Sequence, residues 1–132
     1  MTQTIVRGVK EMVEEANAVV DVMSLEDARA AHGNEDYVFI DVRDHRELKR
    51  DGKIPGAFSC PRGMLEFWID PNSPYHKDIF AQDKTFVFYC ASAWRSALAT
   101  KVAKEMGLAP VCHLDGGFGA WKKSGADIEV LS

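Results

Sequence analysis

The residues with the clearest chemical potential lie in one short stretch, from Cys90 to Ser96. The stretch follows an apolar run, Thr85 to Tyr89, that predicts a buried strand, and it leads into a helical pattern. A cysteine where a helix starts lies near unpaired backbone N–H groups and the positive end of the helix dipole, and both favour a thiolate. The guanidinium of Arg95 adds a positive charge. The pattern predicts a nucleophilic Cys90 supported by Arg95, and the alternative is a packed, unreactive cysteine.

The composition is that of one soluble globular domain. The chain has 132 residues, of which 46% are hydrophobic and 27% are charged. A net charge of −4 gives no reason to expect nucleic acid or an anionic membrane as a partner. The N-terminal residues include Glu11, Glu14 and Glu15 and no continuous apolar run, so we expect neither a secretory signal nor a membrane span, and a cytoplasmic location.

The cysteines and histidines are widely spaced, and none of them forms a short pair typical of a metal site. We interpret Cys60, Cys112 and the histidines as packed or surface residues; the histidines are His32, His45, His76 and His113. The glycines from Gly116 to Gly119 lack the lysine and the hydroxyl residue of a phosphate-binding loop, so they predict a tight turn into a helix. The sequence therefore predicts no metal and no cofactor.

The order of hydrophobic patterns predicts an α/β fold with a mainly parallel sheet. Apolar residues recur at helical spacing from Ile5 to Val20 and predict an amphipathic helix within residues 1–21, packed on a single domain of residues 22–132. Pairing of two copies through this helix, giving a homodimer, is the alternative. The predicted strands are Tyr37 to Ile40, Ala57 to Ser59, Thr85 to Tyr89 and Val111 to Leu114.

Several segments, taken in order, resemble the rhodanese family over roughly Val22 to Gly125. They are Asp41-Val42-Arg43 with Glu47 downstream, Lys53-Ile54-Pro55-Gly56-Ala57, the loop from Cys90 to Ser96, and Leu114-Asp115-Gly116-Gly117 with Ala120-Trp121. Residues 61–67 and 71–75 look like a bacterial single-domain subgroup. The resemblance implies a rhodanese-like three-layer fold, with helices on both faces of a mainly parallel central sheet.

The resemblance also implies a sulfurtransferase. Cys90 would take a sulfane sulfur from a donor such as thiosulfate, hold it as a persulfide and pass it to an acceptor such as cyanide or a thiol. Cys90 and Arg95 would be catalytic, and the loop that binds the persulfide would comprise Ala91, Ser92, Ala93, Trp94 and Ser96. Trp94 would form a pocket wall.

Four further residues are candidates for supporting roles. We interpret Asp41 and Arg43 as a structural ion pair near the edge of the sheet that carries the site. Arg62 and Glu66 fall where the resembling subgroup faces its pocket, and Arg62 would bind an anionic donor or be exposed to solvent. Ala93 stands where the family often has glycine, so it introduces strain if the loop needs a left-handed backbone.

Two other function classes remain open at this point. Phosphatases and arsenate reductases also hold an anion between a cysteine and an arginine, but phosphatases of related fold use five residues between the two, and this chain has four. One added sulfur needs less room than a tetrahedral oxyanion. A non-catalytic binding or sensing module is the second alternative, because fold alone does not establish activity. Such modules typically lack the cysteine.

Overall fold

The computed structural model describes residues 2–132, which form a sheet of five strands with helices on both faces. The helices are α1 (Val9–Val19), α2 (Leu25–Ala31), α3 (His45–Asp51), α4 (Leu65–Ile69), α5 (Trp94–Met106) and α6 (Gly117–Lys123), with 3-10 turns at Arg62–Met64 and Asp78–Ala81. The strands are β1 (Asp21–Met23), β2 (Tyr37–Asp41), β3 (Phe58–Ser59), β4 (Thr85–Tyr89) and β5 (Val111–Leu114).

The strands are ordered β1-β5-β4-β2-β3, and neighbouring strands pair in parallel. Asp41, the last residue of β2, pairs with Tyr89 at the end of β4 and with Ser59 at the end of β3. The carboxyl ends of the three strands therefore meet at one edge of the sheet, where open α/β sheets bind their ligands. The predicted α/β fold with a parallel central sheet is confirmed.

Alternate residues of the central strands face opposite layers, as the two-residue period of a strand requires. One face carries α4 and α5, whose buried residues pack on Val38, Ile40, Phe86 and Phe88. The other face carries α2 and α6, whose buried residues pack on Phe39, Val87 and Tyr89. Burial of both faces explains why these strands are nearly continuous apolar runs rather than alternating ones.

Helix α1 packs against α5 through the buried residues Val13 and Ala16, which contact Ala97. The predicted helix is wrong at its beginning: Ile5 is exposed and precedes the helix, which starts after Gly8 as its N-cap. Glycine is unfavourable inside a helix and acceptable at its first boundary, which accounts for the later start. Within residues 2–132, the helices are all too short or too polar to cross a bilayer.

Candidate active site

Cys90 follows β4 directly and lies at the amino end of α5, with only 1% of its surface exposed. The backbone N–H of Ser96 donates to Cys90 Sγ at 3.4 Å, and the thiol is 3.6 Å from Ser96 Oγ as its acceptor. Both groups lie in the first turn of α5, whose dipole also favours a negative charge on sulfur. The structure therefore gives Cys90 Sγ an environment that suits a thiolate.

Helix α6 holds the loop that carries Cys90. The backbone N–H of Phe118 donates to Cys90 O at 2.7 Å, and that of Gly119 donates to Ala91 O at 3.0 Å. Gly117 has a φ of +65°, and a Cβ there would lie 2.6 Å from Cys90 O and 2.7 Å from Ala91 O. Only glycine allows this close approach. The sequence interpretation of a tight turn missed this support, although the double glycine after β5 is a signal for it.

Ala93 occupies the left-handed region, with φ 73° and ψ 5°, immediately before α5. It is the one residue other than glycine with a positive φ among residues 2–132. A left-handed backbone costs an L-residue with a Cβ roughly 1–2 kcal/mol. The substitution of alanine for the glycine that the family often uses therefore places strain in the loop itself.

Arg95 forms two hydrogen bonds with Glu47 of α3, Nη1 to Oε2 at 2.7 Å and Nη2 to Oε1 at 2.8 Å. Glu47 also caps its own helix, because its Oε2 accepts the backbone N–H of Asp44. The hydrogen bond with Arg95 is the main cause that lowers the pKa of Glu47 to about 2, and the same contact raises the pKa of Arg95.

This pair bears on the predicted role of Arg95, which remains a prediction. The side-chain hydrogen bonds of Arg95 within the described residues go to a carboxylate and not to the sulfur, so its charge acts on Cys90 through space and is largely balanced by Glu47. The hydrogen bonds at the sulfur involve Ser96 instead: its backbone N–H donates to Cys90 Sγ, and its hydroxyl accepts from the thiol. The sequence could not reveal this arrangement because Glu47 reaches the loop only through the packing of α3.

Asp41 and Arg43 form a buried ion pair at the carboxyl end of β2. Arg43 Nη2 donates to Asp41 Oδ2 at 2.8 Å and to the carbonyl of Gly52 at 2.7 Å, and Arg43 Nε donates to Asp41 Oδ1 at 3.0 Å. The guanidinium carbon lies 4.3 Å from the centre of the Phe118 ring. These contacts connect the end of β2 with the end of α3 and with α6. They suit the structural role predicted for the pair.

Arg62 and Glu66 pair with each other, Nη1 to Oε1 at 2.9 Å, and both remain partly exposed. Arg62 also lines a small cleft with Arg7, Leu98 and Lys101. Trp94 begins α5 and leaves 48% of its surface exposed. Trp94 lies at the amino end of α5, whereas the cleft beside Arg62 lies along the middle of that helix, at Leu98 and Lys101. Glu66 engages one nitrogen of the Arg62 guanidinium.

The other two cysteines are buried and differ from Cys90 in their surroundings. Burial raises the pKa of Cys60 to about 12 and that of Cys112 to about 11. Cys60 follows β3, and Cys112 lies within β5 with its thiol near the carbonyl of Phe86. Neither environment supports a thiolate near neutral pH.

Comparison with known proteins identifies the family. The Rhodanese-like domain matches residues 24–124 of the chain. The chain belongs to the rhodanese-like domain family. A sulfurtransferase from Allochromatium vinosum is 30% identical over 94 residues, which cover 71% of this chain and 79% of that protein. Two other relatives, from Synechocystis and mouse, are matched over only 44% and 59% of their lengths.

Solved structures extend this comparison to almost the whole rhodanese-like chain. A protein of unknown function from Rhodopseudomonas palustris, called a possible tyrosine phosphatase, is 60% identical with a TM-score of 0.95, covering 98% of this chain and 99% of that one. The polysulfide-sulfur transferase homodimer from Wolinella succinogenes is 30% identical with a TM-score of 0.69, covering 93% of this chain and 88% of that one. The family and its sulfurtransferase relatives support a function in sulfur transfer.

Proposed function

We propose that the protein is a sulfurtransferase that carries a sulfane sulfur as a persulfide on Cys90. The observation that carries the proposal is the pair of Ser96 groups at the sulfur, a backbone N–H at 3.4 Å and a hydroxyl at 3.6 Å. A thiolate is the nucleophile in sulfur exchange, and these groups contact the sulfur that carries its charge. In the persulfide that replaces it the negative charge lies on the outer sulfur, which the α5 dipole favours.

The reaction has two displacement steps. In the first, the Cys90 thiolate attacks the sulfane sulfur of thiosulfate; the new S–S bond forms as the old one breaks, and sulfite leaves with the electron pair. In the second, cyanide or a thiolate attacks the outer sulfur of the persulfide. Thiocyanate or a new persulfide forms, and the Cys90 thiolate leaves with the electron pair of the broken bond.

The surroundings of Cys90 favour this chemistry over phosphate-ester hydrolysis. The sulfur is buried at the base of a four-residue loop, which suits one added atom better than a tetrahedral group with three further oxygens. Arg95 also holds Glu47 with two short hydrogen bonds, which leaves fewer of its N–H groups for the phosphoryl oxygens that a phosphatase has to bind.

Thiocyanate formation tests the proposal. Wild type, Cys90→Ser, Cys60→Ser and Cys112→Ser are assayed with thiosulfate and cyanide, and polysulfide replaces thiosulfate in a second series. We expect turnover in all except Cys90→Ser, because a serine hydroxyl is a poor sulfur nucleophile at neutral pH. Normal turnover by Cys90→Ser contradicts the nucleophile assignment. Hydrolysis of an aryl phosphate that depends on Cys90, without sulfur transfer, favours the phosphatase alternative.

A further inference from the structure

A buried histidine connects the Cys90 loop to the N-terminal helix. His113 lies on β5 with 1% of its surface exposed, between Ser96 of α5 and Asn17 of α1. Its Nδ1 is 2.9 Å from Ser96 Oγ, and its Nε2 is 2.8 Å from Asn17 Oδ1. Because Ser96 Oγ is also the acceptor for the Cys90 thiol, four side chains form one continuous hydrogen-bonded chain.

This hydrogen-bonded chain of four side chains starts at a buried sulfur and ends at the surface. Cys90, Ser96 and His113 are each at most 1% exposed, whereas Asn17 is exposed on α1. Packing of Val13 and Ala16 against α5 fixes the turn of α1 that carries Asn17. This hydrogen-bonded chain therefore links a thiol that is almost fully buried with a position on α1 that is exposed.

The protonation state of His113 decides which atom donates and which accepts in each of these hydrogen bonds. Burial lowers the pKa of His113, and Asp115 is the charged group that opposes this effect, so at neutral pH the imidazole carries one N–H. With the proton on Nε2 and donated to Asn17, Nδ1 accepts the hydroxyl proton of Ser96. The hydroxyl then presents only lone pairs to Cys90, which suits a protonated thiol as donor.

Loss of the thiol proton reverses every hydrogen bond in this chain. The proton moves from Cys90 Sγ to Ser96 Oγ, and the former hydroxyl proton of Ser96 moves to His113 Nδ1. The exposed Asn17 carboxamide swings away from Nε2, because an amide oxygen does not relay a proton, and a water or buffer base that enters at that position takes the Nε2 proton. Sulfur keeps the electron pair of the broken S–H bond. The imidazole ends neutral, and the Ser96 hydroxyl now donates to the thiolate. Rotation of the Asn17 amide supplies a donor to the bare Nε2.

We propose that His113 and Asn17 are positioning residues that act on Cys90 through Ser96, by taking its proton to the surface and turning the Ser96 hydroxyl toward the sulfur anion. The inference rests on the proposed function for the use of that anion in sulfur transfer. It also gives α1, which precedes the family match at residues 24–124, a part in the site.

The test measures the reactivity of Cys90 without sulfur chemistry. Alkylation by iodoacetamide is followed across pH by mass spectrometry of the peptide that contains Cys90. The variants are His113→Leu, which removes both ring nitrogens, and His113→Asn, whose amide bonds to Ser96 but cannot shuttle a proton. His32→Asn is the matched control, because His32 also hydrogen-bonds through its ring, to the carbonyl of Pro55, in another part of the fold.

For His113→Leu we expect the midpoint of the alkylation profile to rise by about one pH unit, the equivalent of one hydrogen bond to sulfur. His113→Asn should recover part of this shift, and His32→Asn should not move the midpoint. Equal profiles for His113→Leu and wild type overturn the proposal. So does a shift that His32→Asn reproduces, because general destabilisation then explains it.

Asn17→Ala keeps the proposal testable if the His113 variants do not fold, since alanine is favourable at an exposed helix position. We expect a rise of about half a pH unit, because water replaces part of the lost amide. Glu14→Ala, at another exposed position of α1, is the control and should leave the midpoint unchanged. An unchanged midpoint in Asn17→Ala removes Asn17 from the proposal. If the His113 and Asn17 variants shift the alkylation midpoint but wild type transfers no sulfur, the proposed function is contradicted. The effect of these two residues on Cys90 is then still supported.

Discussion

Substitution of Gly117 by alanine is expected to disrupt the Cys90 loop without touching any reacting group. The residue has a φ of +65°, and its added Cβ would lie 2.6 Å from Cys90 O and 2.7 Å from Ala91 O. A Cβ atom essentially never lies this close to an oxygen to which it is not bonded, because the two atoms would overlap. Both oxygens belong to the backbone, so neither can turn aside as a flexible side chain would. The loop therefore has to move away from α6, and the carbonyl acceptors move with it.

The expected loss of stability has two sources. A left-handed alanine costs about 1 kcal/mol. Displacement of the loop weakens the hydrogen bonds from Phe118 N to Cys90 O, 2.7 Å, and from Gly119 N to Ala91 O, 3.0 Å, each worth about 1 kcal/mol. We expect Gly117→Ala to lower the free energy of unfolding by about 3 kcal/mol and to reduce thiocyanate formation at least tenfold.

Gly125→Ala is the matched control, because Gly125 has a φ of +83° and no atom within 4 Å of an added Cβ. It should lose about 1 kcal/mol and retain turnover. Urea unfolding and the thiocyanate assay on both variants separate backbone strain from crowding of the loop. The reasoning is refuted if Gly117→Ala is no less stable than Gly125→Ala and remains fully active.

Two more substitutions probe the strain and the ion pair of the site. Ala93→Gly should raise the free energy of unfolding by up to about 1 kcal/mol in urea titrations, because glycine adopts φ 73° without a Cβ penalty; a less stable variant contradicts the strain at this position. The pKa of Glu47 is lowered to about 2 from an ordinary 4.5, so the stability from its pair with Arg95 is present above pH 4.5 and is lost as the pH falls toward 2. Glu47→Gln should lose about 1–2 kcal/mol at pH 7, a value discounted for the exposure of Arg95, and its stability should fall less than that of wild type between pH 5 and 3. Parallel acid profiles of the two proteins contradict this account.

The hydrophobic pattern predicted most of the sheet because buried strands are apolar throughout. β2, β4 and β5 begin and end within one residue of the predicted runs. β1 was not predicted, because Asp21–Met23 is three residues long, largely exposed, and is defined by its pairing with β5. Helix α4 was missed as well, since five residues give too little of the helical period to recognise.

The chemistry at Cys90 was readable from local sequence, and the groups that surround it were not. Ser96 is six residues after Cys90 and lies in the first turn of the helix that the pattern predicted. Glu47, Gly117 and His113 reach the loop from α3, α6 and β5, so only the packing of these elements reveals their contacts. The left-handed φ of Ala93 likewise depends on how the loop joins α5.

The most direct test of the central claim is the mass of the protein after treatment with thiosulfate or polysulfide. We predict the addition of one sulfur atom, located at Cys90 by peptide mapping and removed by a reducing thiol, because a persulfide exchanges with thiolates. Cys90→Ser should gain nothing, while Cys60→Ser and Cys112→Ser should gain the atom as wild type does. Wild type that gains no sulfur from either donor, or that gains it equally in Cys90→Ser, contradicts the account.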